Sequence, residues 1–432
     1  MKIKGLRWWV IALIGIATVI NYIDRQSLSV LWPQIADDLF PDKTIDQRKE
    51  IYANITIIFM FSYAFGQAIF GKIFDWIGTR IGFALSIGVW SIATALHALA
   101  SSFLSFSVFR AILGVSEAGN WPGAAKGNAE WFPTKERAFA QGLFNSGAAI
   151  GGIVSIPIIS GLAIALESWQ AIFVIVALLG FVWLIPWLAL VKGPPKKHPW
   201  ITDEEKVYIL SGQKAGEGSS SADDGYNPST GQLLGHKQSW GVIIASAAID
   251  PIWWLFISWI PIYLFEVFQM DVKGLLIYGW VPYVGAMLGA WFGGLLAQNR
   301  LKAGWSVDKS RKLVITIGCL IMLPSLLALA SPGGPTTAVL IMATILFGFQ
   351  TAIGNIQTLP SDFFSGKTVG TLAGFAGMAA KLAAAGLTFF VPWLTRGGNY
   401  QPVFFIGSAL ALMALAGVWG LCGKIRPLQA SA

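Results

Sequence analysis

Residues Trp8 to Trp32, WWVIALIGIATVINYIDRQSLSVLW, decide what kind of chain this is. Up to Ile20 the run is apolar apart from Thr18. As a helix the 25 residues would extend about 37 Å at 1.5 Å per residue. That is enough to cross a hydrocarbon core of about 30 Å. Yet Asp24 and Arg25 stand side by side in the second half, where a lipid-facing helix tolerates neither. The stretch therefore predicts a membrane span and, with it, a polar interior for the charges to face.

The rest of the chain repeats the pattern. Its 432 residues are 55% hydrophobic and 12% charged, too little charge to cover a soluble surface. Twelve apolar runs are long enough to span, at about 8–32, 51–74, 81–102, 104–128, 138–164, 169–191, 241–265, 274–298, 312–330, 336–359, 368–393 and 401–423. The start imitates a signal peptide, but the run is too long and lacks a small-residue cleavage site, so a retained first helix is expected. Cys319 and Cys422 both fall in predicted spans and suggest neither a disulfide framework nor a metal site.

The net charge of +8 could suggest nucleic acid, but its distribution points to a bilayer. If the N-terminus is inside, 21 of the 30 Lys and Arg lie in cytoplasmic segments and five in external loops. This is the positive-inside bias of a multi-pass protein of the bacterial inner membrane, both termini cytoplasmic. Six spans precede the hydrophilic segment 192–240 and six follow it. The reading is an all-α membrane protein with a first bundle at 1–191, a cytoplasmic linker at 192–240 and a second bundle at 241–432. Within the linker, Thr-Asp-Glu-Glu at 202–205 can cap a short helix, and the Gly/Ser-rich piece that follows is a tether. The loop between spans 2 and 3, GKIFDWIGTR, has a weak counterpart between spans 8 and 9, GGLLAQNRLKAG, as a repeat of halves would produce.

Seven charges fall well inside four spans: Asp24 and Arg25 in span 1, Arg110, Glu117 and Lys126 in span 4, Asp250 in span 7, and Lys381 in span 11. Each costs at least ~2.5–3.5 kcal/mol at mid-helix unless it pairs or faces water. Arg110 and Glu117 are seven apart and share a face. Asn21 with Arg25, and Tyr63 with Gln67, are spaced four apart. Thr351, Asn355 and Thr358 form a polar stripe on span 10. Lys126 falls nearly opposite Glu117 and can snorkel to the interface. Ion pairs that pin helices would explain single pairs. A ligand and ion pathway better explains this concentration of charge with amides and Tyr63 nearby. Glu117, with no adjacent base, is the expected coupling acid, whereas Asp24 abuts Arg25. Lys381 and Asp250 are expected to pair, since neither has a partner on its own helix. Asp75 and Arg80 lie at the cytoplasmic rim.

GKIFDWIGTR resembles the loop 2–3 signature of the major facilitator superfamily. Gly71, Asp75, Gly78 and Arg80 match it, while Trp76 and Thr79 replace two usual basic residues. NYIDR on span 1, FRAILGVSEAGNWP on span 4 and EWFPTKERAFAQGLFNSG entering span 5 together resemble the anion:cation symporter branch, particularly bacterial transporters of hexuronates, aldonates and aldarates. The resemblance implies the major facilitator fold and proton-driven uptake of a sugar acid by alternating access. It implies proton coupling at Asp24 and Glu117, and a substrate carboxylate on Arg25. Tyr63, Asn145, Asn355 and Lys381 become candidate substrate contacts. Arg110, Lys126 and Asp250 become a charge network, and Gly71, Asp75, Gly78 and Arg80 a cytoplasmic gate. Departures lie at Ala148, where relatives carry Gln, and around Asn355 and Gly377, where they carry Trp and Asn.

Rival readings are an organophosphate exchanger, a phthalate-type carboxylate importer and a transporter-like sensor. The first would want a basic residue on span 7, which has only Asp250. SGKT at 365–368 lacks the preceding glycine of a P-loop. His97, His198 and His236 are scattered, and no nucleophile–His pair is evident, so an enzyme is not expected. Nor is a cofactor, a metal or a nucleic-acid partner. The expected partners are a sugar-acid anion, protons and the bilayer, and a monomer is expected.

Overall fold

The computed structural model describes residues 2–218, 228–364 and 367–428. Long apolar runs with few helix breakers form long helices, because in a bilayer the backbone must satisfy its own polar groups. Among the described residues, eleven helices are long and apolar enough to cross a membrane. The remaining expected span, the fourth, is broken. It forms helices Phe103–Glu117 and Asn120–Trp131, which meet at Ala118 and Gly119. At 15 and 12 residues each piece is too short to span by itself, and the second holds Asn120, Lys126, Asn128 and Glu130. With this pair the twelve expected spans are all present.

By contact the chain divides into two units, Met1–Lys43 with Asn54–Ser221 and Thr44–Ala53 with Ala222–Ala432. This departs from the expected boundaries at two places. The segment 192–218 belongs to the first unit rather than to a free linker, and the first turns of span 2 belong to the second.

In the first unit, span 1 (Leu6–Leu39) packs along span 5 (Thr134–Leu166). Span 2 (Ile45–Phe74) and span 3 (Trp76–His97) join at a tight turn. Gly78 sits there at φ 78°, a left-handed backbone that a residue with a Cβ adopts only under strain. Span 6 is Trp169–Leu190. Beyond it, Pro195–Lys197 forms a short 3-10 turn and Asp203–Gly218 a helix. As expected, Thr202 caps this helix, its hydroxyl accepting from the Glu205 N–H at 3.3 Å. Ile201 forms a bridge with Ile3. The Glu205 carboxylate accepts from the Leu6 and Arg7 backbone N–H groups, at 3.0 and 3.2 Å, and from the Arg7 guanidinium at 2.8 Å. An acid at a helix N-terminus meets otherwise unsatisfied donors and the positive end of the helix dipole. These contacts dock the segment onto span 1.

In the second unit, span 7 is Lys237–Phe268, four residues longer at its start than expected. Span 8 is Val272–Tyr278 continuing as Val281–Lys302, and span 9 is Val307–Leu329. Span 10 is Pro335–Phe363, span 11 Lys367–Leu394, and span 12 Gln401–Ala416 with a π turn at Gly417–Leu421. Gly285, Gly289 and Gly293 line the face of span 8 that meets span 10. A Cβ on Gly289 would fall 2.1 Å from the Phe347 carbonyl oxygen. Small residues at four-residue spacing allow this backbone approach. Cys319 and Cys422 are buried free thiols.

Candidate functional site

The charges of span 1 do not pair with each other. Successive helix residues point about 100° apart, so Asp24 and Arg25 serve different neighbours. The Arg25 Nε donates to Glu117 Oε2 at 2.8 Å, and both side chains are nearly or wholly buried. Its guanidinium also lies over the Tyr63 ring, 4.6 Å from the centroid, with Tyr22 and Phe59 each at 5.6 Å. Such placement over ring faces favours a desolvated cation. Arg110 donates from Nη2 to the Arg25 carbonyl at 3.4 Å and lies over Phe59. The expectation that Glu117 has no adjacent base is therefore corrected. The break after Glu117 and the rotation of span 1 bring Arg25 to it across helices, which spacing along one helix could not reveal.

Asp24 turns the other way. Its Oδ1 accepts from the Thr94 hydroxyl on span 3 at 2.6 Å, and both residues are fully buried. A further polar contact crosses the same unit, where Asn120 Nδ2 donates to Thr18 Oγ1 at 3.0 Å. The first unit thus holds a cation–carboxylate pair and a second carboxylate held apart from it.

Lys126 is not on this cluster. Its Nζ donates to the Phe74 carbonyl at 2.7 Å, placing a cation at the C-terminal end of span 2, where the helix dipole is negative. Arg80 donates to the Leu188 carbonyl at 3.4 Å, and its own carbonyl accepts from Trp187 Nε1. Gly71 has open space around it. The side chains of Asp75 and Asn145 lie outside the described residues.

In the second unit, Lys381 Nζ donates to Asp250 Oδ2 at 2.6 Å, and the ammonium lies 5.4 Å from the Trp254 ring centroid. Asn355 is placed differently from the expectation. Its Oδ1 accepts from Arg311 Nη1 at 3.1 Å and its Nδ2 donates to the Thr351 carbonyl at 3.4 Å. Arg311 also pairs with Asp362 at 2.9 Å. With both ends of the amide engaged, Asn355 belongs to an ion-pair cluster between spans 9 and 10.

Two functional-looking residues escaped the sequence reading. Arg311 lies just before the expected span 312–330, yet it sits four residues inside span 9, Val307–Leu329. Lys49 lies just before the expected span 51–74, yet its side chain is only 2% exposed and pairs with Asp46 at 3.0 Å and Glu266 at 2.9 Å. It also donates to the Thr395 carbonyl at 2.8 Å, while Tyr400 donates to Glu266 Oε2 at 2.7 Å. The Asp46–Lys49 spacing of three was the available signal for a helix beginning there. Among the described residues no group of three His, Cys, Asp or Glu side chains could hold a metal ion.

The family model described as Major Facilitator Superfamily matches residues 14–386. A hexuronate transporter of Escherichia coli (strain K12) is 33% identical over 421 residues, covering 97% of this chain and 94% of that protein. A galacturonate transporter of Dickeya chrysanthemi is 35% identical over 325 residues, 74% of this chain and 90% of that one. Among solved structures, a D-xylose-proton symporter superposes with a TM-score of 0.72 at 16% identity, over 96% of this chain and 98% of that chain. A bacterial homologue of the human lysosomal transporter Spinster gives 0.70 at 19% identity, over 96% and 95%.

Proposed function

Since this chain belongs to the major facilitator superfamily, we propose that it imports a sugar acid, a hexuronate first, coupled to protons by alternating access. The superfamily is one of membrane transporters, not enzymes. The hexuronate and galacturonate relatives support the substrate class. The charge distribution, 21 basic residues on one side against five on the other, supports a bacterial inner-membrane protein with both termini in the cytoplasm.

The observation that carries the mechanism is the buried Arg25–Glu117 pair. A guanidinium binds a carboxylate through two parallel hydrogen bonds. A substrate carboxylate arriving at Arg25 competes with Glu117 for it. A buried carboxylate that loses its cation is destabilised by several kcal/mol, and a proton relieves that cost. Substrate and proton therefore load together. Asp24, buried away from Arg25, is the second proton carrier. If protons outnumber the substrate's charges, the membrane potential adds ~2.3 kcal/mol per net charge per 100 mV. Tyr63 orients Arg25 through its ring face. Lys381 is held by Asp250 and serves the second unit as a structural pair rather than as the anchor. Gly71, Asp75, Gly78 and Arg80 remain the proposed gate.

The test uses proteoliposomes and labelled D-glucuronate and D-galacturonate. Glu117→Gln should abolish accumulation driven by a pH gradient yet keep counterflow, because a permanently neutral side chain mimics the protonated state. Full accumulation by Glu117→Gln would refute its role in coupling, and loss of counterflow would assign it to substrate binding.

A further inference from the structure

We propose that Thr94 is a positioning residue that holds the Asp24 carboxylate toward span 3 and sets its proton affinity. The inference rests on the reading of Asp24 as a proton carrier.

Its basis is geometric. Thr94 lies on span 3, which contributes no charged residue to the site, yet its hydroxyl reaches Asp24 Oδ1 at 2.6 Å. Both side chains are fully buried, and Asp24 Oδ2 has no hydrogen-bond partner. The charged groups acting on Asp24 are Glu117, Arg110 and Arg25. His97, one turn beyond Thr94 on span 3, gives its Nδ1 to the Ala93 carbonyl and packs against Phe106 and Phe173. Of the groups that hydrogen-bond Asp24, Thr94 is the one seen, and it comes from outside the Arg25 cluster.

A hydroxyl suits the task because it can turn. It donates to the carboxylate when Asp24 is charged and accepts from the carboxylic acid when Asp24 is protonated. Thr94 thus serves Asp24 in both protonation states and fixes the carboxylate toward span 3.

The test is an infrared titration of the purified full-length protein, reading the carboxylic-acid C=O stretch that is missing in Asp24→Asn. Losing a hydrogen bond to a charged group corresponds to a shift of about one pH unit. In Thr94→Val the Asp24 midpoint should move by about one unit. Thr94→Ser, which keeps the hydroxyl, should stay near wild type. The pH profile of gradient-driven D-glucuronate uptake should shift the same way. If Thr94→Val does not fold, Thr94→Ala serves for the same comparison. Coincident midpoints for wild type and either hydroxyl-free variant would overturn the proposal. If instead Asp24→Asn still accumulates substrate on a pH gradient, the reading of Asp24 as a proton carrier fails, whatever Thr94 does to its titration.

Discussion

Replacing Lys381 by Met and Asp250 by Asn, singly and together, measures what the second unit's buried pair contributes. At 2.6 Å and an effective dielectric constant of about 20, two unit charges attract by roughly 6 kcal/mol. Desolvation offsets much of this, so the pair's net worth against two neutral groups is small. A single replacement is different, because it leaves one charge buried alone, which costs about 3–5 kcal/mol. The Lys381 side chain keeps 23% exposure and that of Asp250 13%, which places each single variant near the lower end, about 3 kcal/mol. The double variant should return to within about 1 kcal/mol of wild type, a coupling of about 5 kcal/mol, above the roughly 0.5–3 kcal/mol of ordinary contacting residues because each single variant strands a buried charge. The assay is denaturant unfolding in mixed micelles, followed by tryptophan fluorescence. Costs that simply add in the double variant would refute the pairing and return Lys381 to the candidates for substrate binding.

Arg25→Lys should weaken D-glucuronate binding at least tenfold in counterflow, about 1.4 kcal/mol. An ammonium cannot reproduce the two-pronged fit while facing Glu117 and Tyr63. Normal affinity would move the anchor elsewhere. Glu205→Ala should lower stability by about 2 kcal/mol, since it removes an N-terminal cap and a charge pair at once, and thermal unfolding checks it. His198 gives a pH prediction. Burial, and then the nearby Lys192, hold its imidazole below the usual histidine range. Its Nδ1 accepts from the Trp200 N–H, and its Nε2 lies 2.9 Å from the Leu190 carbonyl and 3.1 Å from the Lys192 backbone nitrogen; a ring that accepts at Nδ1 is neutral. The unfolded chain takes up the proton first, near pH 6.5. Stability should therefore fall as pH drops below about 6.5 and level off beneath the folded-state value. Limited proteolysis of residues 192–202 at pH 7.5 and 5.5 reads this, and His198→Gln should flatten the difference.

The spans were legible because an apolar run longer than the bilayer is thick has few alternatives. The Lys381–Asp250 pair was legible because two lone charges at membrane depth must find a partner. The partner of Arg25 was not. Sequence neighbours suggest Asp24, but helix geometry separates the two and the rotation of span 1 is set by packing against span 5. Asn355 looked like a cavity residue because its stripe of Thr351 and Thr358 is polar. The guanidinium that occupies it comes from Arg311, 44 positions earlier. Lys49 was hidden by its position just before an apolar run, where a lysine normally meets water. The docking of 192–218 rests on Glu205 together with the Ile3–Ile201 bridge and the Ile3 N–H to the Trp200 carbonyl, contacts hidden in a stretch that composition alone marks as linker.

That docking bears on how the chain is made. Leu6 and Arg7 are held by a carboxylate synthesised about two hundred residues later. Span 1 can enter the bilayer at once, but its leading end gains its cap only when the segment after span 6 has been translated. Completion of the first half is thus signalled at its own beginning. A fragment ending at Val191 would contain all six spans and still leave its N-terminus uncapped, whereas one that runs through Gly218 would close on itself before the second half exists.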